Sequence, residues 1–160
     1  MEIKMAGVSK IFDPDIVALE DVYLNIKKGE FVYFVGHTGS GKTTLLRLIN
    51  RELIPTSGQI MVGKYNLRKL RMGQLPYYRR QIGVIFQDFK LLPHLNAAEN
   101  VAFVLEAIGV PKRQVEERVK AVLSRLDLWR RRFLYPEQMS GGEQQRLAIA
   151  RAVVNMPSLL

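Results

Sequence analysis

The sequence predicts an α/β fold organised around one strand–loop–helix unit, with a sheet layer ahead of it and a helical part behind it. Three observations carry that prediction. Phe31-Val32-Tyr33-Phe34-Val35 is a short apolar run, aromatic and β-branched, of the kind that fills a buried strand. It leads without a gap into GHTGSGKT, Gly36 to Thr43, and then into Thr44–Ile49, which reads as a helix entering the core. From residue 97 onward strand signals stop, and 97–155 reads almost entirely as helix.

In chain order, residues 2–8 and 17–27 are expected to form two strands of an antiparallel layer. Leu19, Val22, Leu24 and Ile26 supply the apolar side of the second, and Lys27-Lys28-Gly29-Glu30 the turn into the next strand. Between them Phe12 stands ahead of a loop containing Pro14, where an aromatic can stack on a flat base; packing within the loop is the simpler reading.

Gly36 to Thr43 fits G-x-x-x-x-G-K-[ST] without a mismatch, and its setting between a strand and a helix is what that pattern requires. Such a loop is a phosphate nest. Its backbone N–H groups point inward, the positive end of the helix dipole adds to them, and Lys42 reaches the outer phosphates. Thr43 offers a hydroxyl to Mg²⁺, which also bridges phosphate oxygens. The segment therefore reads as a nucleoside triphosphate site made by Gly36, His37, Thr38, Gly39, Ser40, Gly41, Lys42, Thr43 and Thr44.

Pro55–Gly58 is read as a turn, Gln59–Val62 as a short strand, and 64–81 as basic, polar loop with a helical turn or two. Ile82-Gly83-Val84-Ile85-Phe86 is expected to be another buried strand, ending at Gln87-Asp88-Phe89. A helix over 97–108 is broken by Gly109-Val110-Pro111, with Pro near the first position of the next helix. Val115, Val119, Val122, Leu123 and Leu126 give that helix its apolar stripe. The last anchor is MSGGEQQR, Met139 to Arg146, running into a helix rich in Ala and Leu. Ser140 and Glu143 form S-x-x-E, a capping box. A capping box has no need of Gly141 and Gly142, which weaken a helix. At a helix start, however, two glycines strip the surface so that a phosphate can approach backbone N–H groups.

The totals exclude several classes. No apolar run approaches the roughly 20 residues of a membrane span. The absence of cysteine rules out thiolate metal sites and disulfides. A formal charge of +9 points to polyanionic company, whether nucleotide, nucleic acid or an anionic membrane surface. The cations cluster at Arg68-Lys69-Leu70-Arg71, Arg79-Arg80 and Arg130-Arg131-Arg132, runs that are most simply solvated faces.

With these motifs in this order, the sequence resembles the ATP-binding cassette (ABC) ATPases, a P-loop NTPase family, along its whole length. GHTGSGKT looks like the Walker A loop, and Phe12 falls where the family stacks adenine. Gln87 corresponds to the Q-loop glutamine, which the resemblance places near Mg²⁺ and the attacking water. MSGGEQQR corresponds to the signature motif, with Met139 and Glu143 as departures from its usual L-S-G-G-Q. The resemblance implies ATP and Mg²⁺ as ligands, with Lys42 and Gln87 as catalytic residues and Thr43 and Gln87 at the metal. Phe12, Gly36–Thr44 and Ser140, Gly141, Gly142 and Glu143 would then hold the nucleotide.

It also implies an ATP-binding core with an antiparallel β layer over 1–87, a helical subdomain over 88–155, and the start of the Walker B strand at 156–160. The Walker B carboxylates and the switch histidine are expected beyond Leu160, so these 160 residues alone are expected to bind nucleotide weakly without family-like turnover. The wording of 82–103 and 140–160 is most similar to the cell-division branch, with lipoprotein-release and macrolide-export branches near it. That branch implies a homodimer sandwiching ATP and an FtsX-like integral membrane subunit at the cytoplasmic face of the division site. Phe89, Leu91, Leu92 and Leu95 are candidates for docking that subunit, with core packing as the competing reading. DNA-repair ATPases share these motifs but insert coiled coils or zinc modules, for which this chain has neither heptads nor cysteines, so no nucleic-acid partner is expected.

Overall fold

The computed structural model describes residues 1–160, which divide into two compact units, Met1–Arg79 and Arg80–Leu160. In the first unit β1 (Ile3–Phe12) pairs antiparallel with β2 (Ile16–Ile26), setting Ile3 opposite Ile26 and Phe12 opposite Ile16. β3 (Ser57–Val62) pairs antiparallel with the other edge of β1, and β4 (Tyr65–Asn66) closes a hairpin with β3, giving the order β2-β1-β3-β4. The expected antiparallel layer is present; β1 runs on to Phe12, beyond the expected end at residue 8, and β2 has the expected length. Ser57 and Gly58 belong to β3 rather than to a turn.

Side-chain alternation puts Ile3, Met5, Ile60 and Val62 inward, and a register shift in β1 between Met5 and Val8 brings Val8 inward as well. α1 (Lys42–Ile49) buries Leu45, Leu48 and Ile49, three and four residues apart, so one helix stripe enters the core. Each such side chain taken fully out of water contributes about 1.5–3 kcal/mol before entropy is counted. α2 (Leu75–Arg79) adds buried Tyr78, whose hydroxyl donates to the Ile49 carbonyl at the end of α1.

One expectation fails here. Residues 31–37 form no strand, and Phe31, Tyr33 and Val35 are 82%, 79% and 93% exposed. The run has the composition of a buried strand. A ladder, though, needs a neighbour, and no strand in these 160 residues pairs with it.

The second unit is helical, from α3 (Ala97–Glu106) through α4 (Lys112–Arg125) to α5 (Gly141–Val153). Val101, Leu105, Val115, Val119, Leu123 and Leu147 meet in its core. Asn96 and Glu99 cap α3 reciprocally, at 3.0 and 2.8 Å. α3 stops two residues before Ile108, because Gly109 turns the chain back and its N–H donates to Glu106 O at 2.9 Å. Pro111 is the cap of α4 rather than a residue within its first turn.

The expected strand at 82–86 is reduced to one parallel bridge, Ile82 to Leu159. Gly83 N–H donates to Leu159 O at 2.8 Å and Ser158 N–H to Gln81 O at 2.9 Å, while Val84, Ile85 and Phe86 are exposed. Residues 80–87 fall in the second unit, tied to its end at Gln81 and Gly83, whereas the motifs set a boundary at 87.

Candidate functional site

Gly36–Thr43 forms an exposed loop folded around the ammonium of Lys42. Lys42 Nζ donates to the carbonyls of Gly36 and His37, each at 2.7 Å, and to Ser40 Oγ at 3.2 Å. Ser40 N–H closes the turn on His37 O at 3.2 Å, and His37 Nδ1 lies 2.7 Å from Thr38 O, which holds the ring against the loop. A strongly hydrated cation is thus held on the loop's own oxygens, where an incoming anion can replace them.

Space bears on two glycines. A Cβ at Gly36 would come 2.6 Å from Ser40 Oγ and force that hydroxyl to rotate away. At Gly41 it would meet Ala18 O at 2.5 Å and Leu19 Cδ2 at 2.7 Å, in a backbone already at φ 84°. That contact presses the start of α1 against β2, fixing the helix axis relative to the sheet.

α1 begins with no side-chain cap and no acidic residue in its first turn, and its first bond back to the loop is Leu45 N–H to Gly41 O at 2.9 Å. The N–H groups of its first turn are therefore left for an anion, with the dipole's positive end behind them. Thr43 is exposed on that turn. No cluster of three or more His, Cys, Asp or Glu residues exists to hold a metal. A hard cation such as Mg²⁺ fits here as a partner of the Thr43 hydroxyl and phosphate oxygens, not as the tenant of a carboxylate cage.

Phe12 ends β1, half-exposed, with Lys10 Nζ 5.0 Å from its ring centroid. The ring keeps a solvent-facing surface and a cation beside it, a setting suited to a base next to phosphates.

In the second unit, Ser140 is the N-cap of α5 and makes the capping box that the sequence indicates. Ser140 Oγ accepts from Glu143 N–H at 3.3 Å, and Glu143 Oε2 accepts from Ser140 N–H at 2.9 Å and from its hydroxyl at 3.0 Å. Arg131 Nε pairs with Glu143 Oε1 at 3.3 Å. The Ser140 backbone and hydroxyl bonds, reinforced by Arg131 and Arg146, hold the Glu143 carboxyl below the usual carboxylate range. Glu143 is thereby committed to the cap. Gly141 and Gly142 are exposed; a Cβ at Gly141 would meet nothing within 4 Å, and one at Gly142 only Arg146 Nη1 at 3.8 Å. Neither has a positive φ, so nothing inside this chain requires glycine at either position.

Gln87 lies exposed in a turn closed by Phe89 N–H to Phe86 O at 3.0 Å. Beside it Asp88 pairs with Lys90 at 2.7 Å, and that hydrogen bond lowers the Asp88 pKa. Phe89, Leu91, Leu92 and Leu95 are half-buried, and Leu91 packs on the helical core. His94 is exposed. Sequence reasoning missed the residue that shapes this segment. Asn100, fully buried in α3, donates through Nδ2 to the carbonyls of Leu92, Leu95 and Asn96 at 3.0, 2.7 and 3.1 Å and accepts from Leu92 N–H at 2.9 Å. The available signal was a lone amide on the apolar stripe Ala97, Val101, Leu105.

Comparison with known proteins gives a consistent result. The family model described as ABC transporter matches residues 19–160. The cell division ATP-binding protein FtsE of Bacillus subtilis (strain 168) is 45% identical over 158 residues, covering 99% of this chain and 69% of FtsE. FtsE of Streptococcus pneumoniae serotype 2 is 42% identical with the same coverage. The methionine import ATP-binding protein MetN of Helicobacter pylori (strain ATCC 700392 / 26695) is 42% identical over all of this chain but only 49% of its own length. Among solved structures, a dimeric ATP-binding cassette in a post-hydrolysis state with ADP and Pi superposes with a TM-score of 0.84 at 38% identity, covering 97% of this chain and 70% of its own. A dimeric bacterial ABC transporter cassette gives 0.86 at 39%, with the same coverage.

Proposed function

The chain belongs to the ABC transporter family of ATP-binding cassettes, and on that premise we propose that it drives a cell-division complex by binding and hydrolysing ATP beside an FtsX-like membrane subunit. Its fold is the ABC cassette form of the P-loop α/β class, and it is the ATP-binding subunit of an ABC-type system, a family that hydrolyses ATP. The division branch is supported by the FtsE relatives, at 45% and 42% identity over 99% of the chain. Methionine import is the competing branch, with identity of 42%.

The observation that carries the nucleotide half is the convergence of Lys42 Nζ on the carbonyls of Gly36 and His37 at the uncapped start of α1. In the reading proposed here, the triphosphate tail takes the place of those carbonyls on the ammonium and is held by the N–H groups of Gly39 to Thr44. The Thr43 hydroxyl would hold Mg²⁺; when bound, the ion supplies positive charge across the outer phosphates. Phe12 stacks on the base. Ser140, Gly141 and Gly142 of a second copy close over the γ-phosphate with the start of α5, which Glu143 steadies through the capping box without touching the anion. Two positive helix ends thus share one phosphate group. Hydrolysis removes that shared group and weakens the pairing, so mechanical output is a difference in dimer affinity between nucleotide states. The segment 87–106, ordered by Asn100, is the proposed docking surface for the membrane subunit at the cytoplasmic face of the division site.

Two measurements test this. ATP should drive dimer formation in the intact protein, and Lys42→Ala should abolish it. The protein should co-purify with an FtsX-like subunit in detergent; selective capture by a methionine permease instead would assign it to the import branch.

A further inference from the structure

The nucleotide site uses none of the basic runs. Two of the three arginines at 130–132 are engaged by the fold: Arg131 pairs with Glu143, and Arg132 stacks at 4.4 and 4.2 Å on the rings of Trp129 and Phe133. Arg79 donates to Asn50 O and Arg51 O. Along 64–71 the cations Lys64, Arg68, Lys69 and Arg71 are all exposed and none makes an ion pair, although Arg68 Nη1 donates to Gly58 O at 3.4 Å. The sequence offers them no local partner, since residues 53–87 contain no Asp or Glu. Lys64 Nζ lies 5.5 Å from the Tyr65 ring centroid.

This segment is held in place. Leu67 is fully buried, its N–H donates to Ile60 O at 2.9 Å, and its carbonyl accepts from Arg51 Nε at 2.6 Å. Tyr78 is fully buried at the other end, bonded to the Ile49 carbonyl. Between those anchors Met72 opens a short 3₁₀ turn at 80% exposure, and Tyr77 is 62% exposed. A strap pinned at both ends therefore presents cations without carboxylate partners together with a flexible apolar side chain and an amphipathic ring. Cations alone fit any polyanion. Cations interleaved with exposed methionine and tyrosine fit a surface that is anionic outside and apolar just beneath.

We propose that the strap from Lys64 to Tyr77 is a docking surface for the anionic phospholipid headgroups of the membrane on which the ATPase works. This rests on the reading that the protein acts beside a membrane. It adds a direct lipid contact that is separate from the protein–protein contact with the membrane subunit.

The test is co-sedimentation of the intact protein with vesicles, using neither nucleotide nor membrane subunit. Vesicles of phosphatidylcholine mixed with phosphatidylglycerol should retain the protein, pure phosphatidylcholine should not, and added salt should release it. Each neutralised cation should weaken binding about fivefold, so the Lys69→Gln/Arg71→Gln pair should lose about twenty-fivefold. Met72→Ser should weaken binding with no change of charge. Melting temperature and ATP-driven pairing should be unaltered in both variants. Equal binding to both vesicle types, or unchanged partitioning of the Gln pair, overturns the proposal. So does retention of duplex DNA with a steep salt slope while vesicles are ignored. Failure here leaves ATP-driven pairing untouched, so the two readings fail separately.

Discussion

Replacing Gly141 and Gly142 with alanine should make the protein more stable and stop it from pairing. Both residues lie in the first turn of α5 with ordinary helical backbone, and the added methyls would meet open space at one position and Arg146 Nη1 at 3.8 Å at the other. Alanine at a compatible position raises stability by about 0.4–1 kcal/mol, chiefly by restricting the unfolded chain. For a domain of this size that is a rise of roughly 1–4 °C for each change. The same methyls stand where a phosphate would approach. An N–H···O bond needs about 2.7–3.2 Å, whereas a methyl carbon holds an oxygen off at about 3.5 Å or more. Losing one charge-assisted bond costs about 1.5–3 kcal/mol, so loss of even one should weaken ATP-driven dimerisation by at least about tenfold. Thermal melting without nucleotide reads the first effect and sedimentation velocity with ATP the second. A lower melting temperature would mean that the glycines serve packing. Unchanged dimerisation would mean that no phosphate comes to this helix end.

Three further outcomes follow from the geometry. Tyr78→Phe removes the donor to the Ile49 carbonyl and should cost about 1–2 kcal/mol at neutral pH, read by denaturant titration. Burial raises the Tyr78 pKa above its ordinary value near 10, so its neutral form stabilises the fold fully below that pH. Stability should then fall above pH ~10, where the unfolded chain ionises first, and more steeply in the parent than in the variant. Asn100→Ala leaves the carbonyls of Leu92 and Leu95 and the Leu92 N–H without their partner and should cost about 2–4 kcal/mol in chemical denaturation. It should also loosen binding of the membrane subunit more than it loosens nucleotide binding. Glu143→Gln keeps an acceptor for the Ser140 bonds and should preserve ATP-driven dimerisation; loss of dimerisation would show that the carboxylate itself is needed there.

Local chemistry made much of this legible from the sequence. The loop 36–43, the capping box at Ser140 and Glu143 and the stripe through Val115, Val119 and Leu123 each depend on residues a few positions apart, and each stands in the structure. What depended on distant partners was misread. Phe31–Val35 and Ile82–Phe86 have strand composition, but a strand is completed by a neighbour, and these two have none beyond the Ile82–Leu159 bridge. Tyr78 and Asn100 went unnoticed, and Arg131 was read as part of a solvated face, because their partners, Ile49, Leu92 and Glu143, lie between 8 and 29 residues away. Glu143 was placed among nucleotide-binding residues by motif position, while its bonds show a carboxylate serving the helix cap.

The central claim is that a triphosphate tail lies across the start of α1 with the Lys42 ammonium against it. The most direct measurement is an amide-resolved titration of the full-length protein with Mg-ATP. Large, saturable shifts should appear at Gly39, Gly41, Lys42, Thr43 and Thr44 and disappear with Lys42→Ala. Saturation by ATP that leaves those amides in place, with shifts gathered elsewhere in the molecule, would contradict the account.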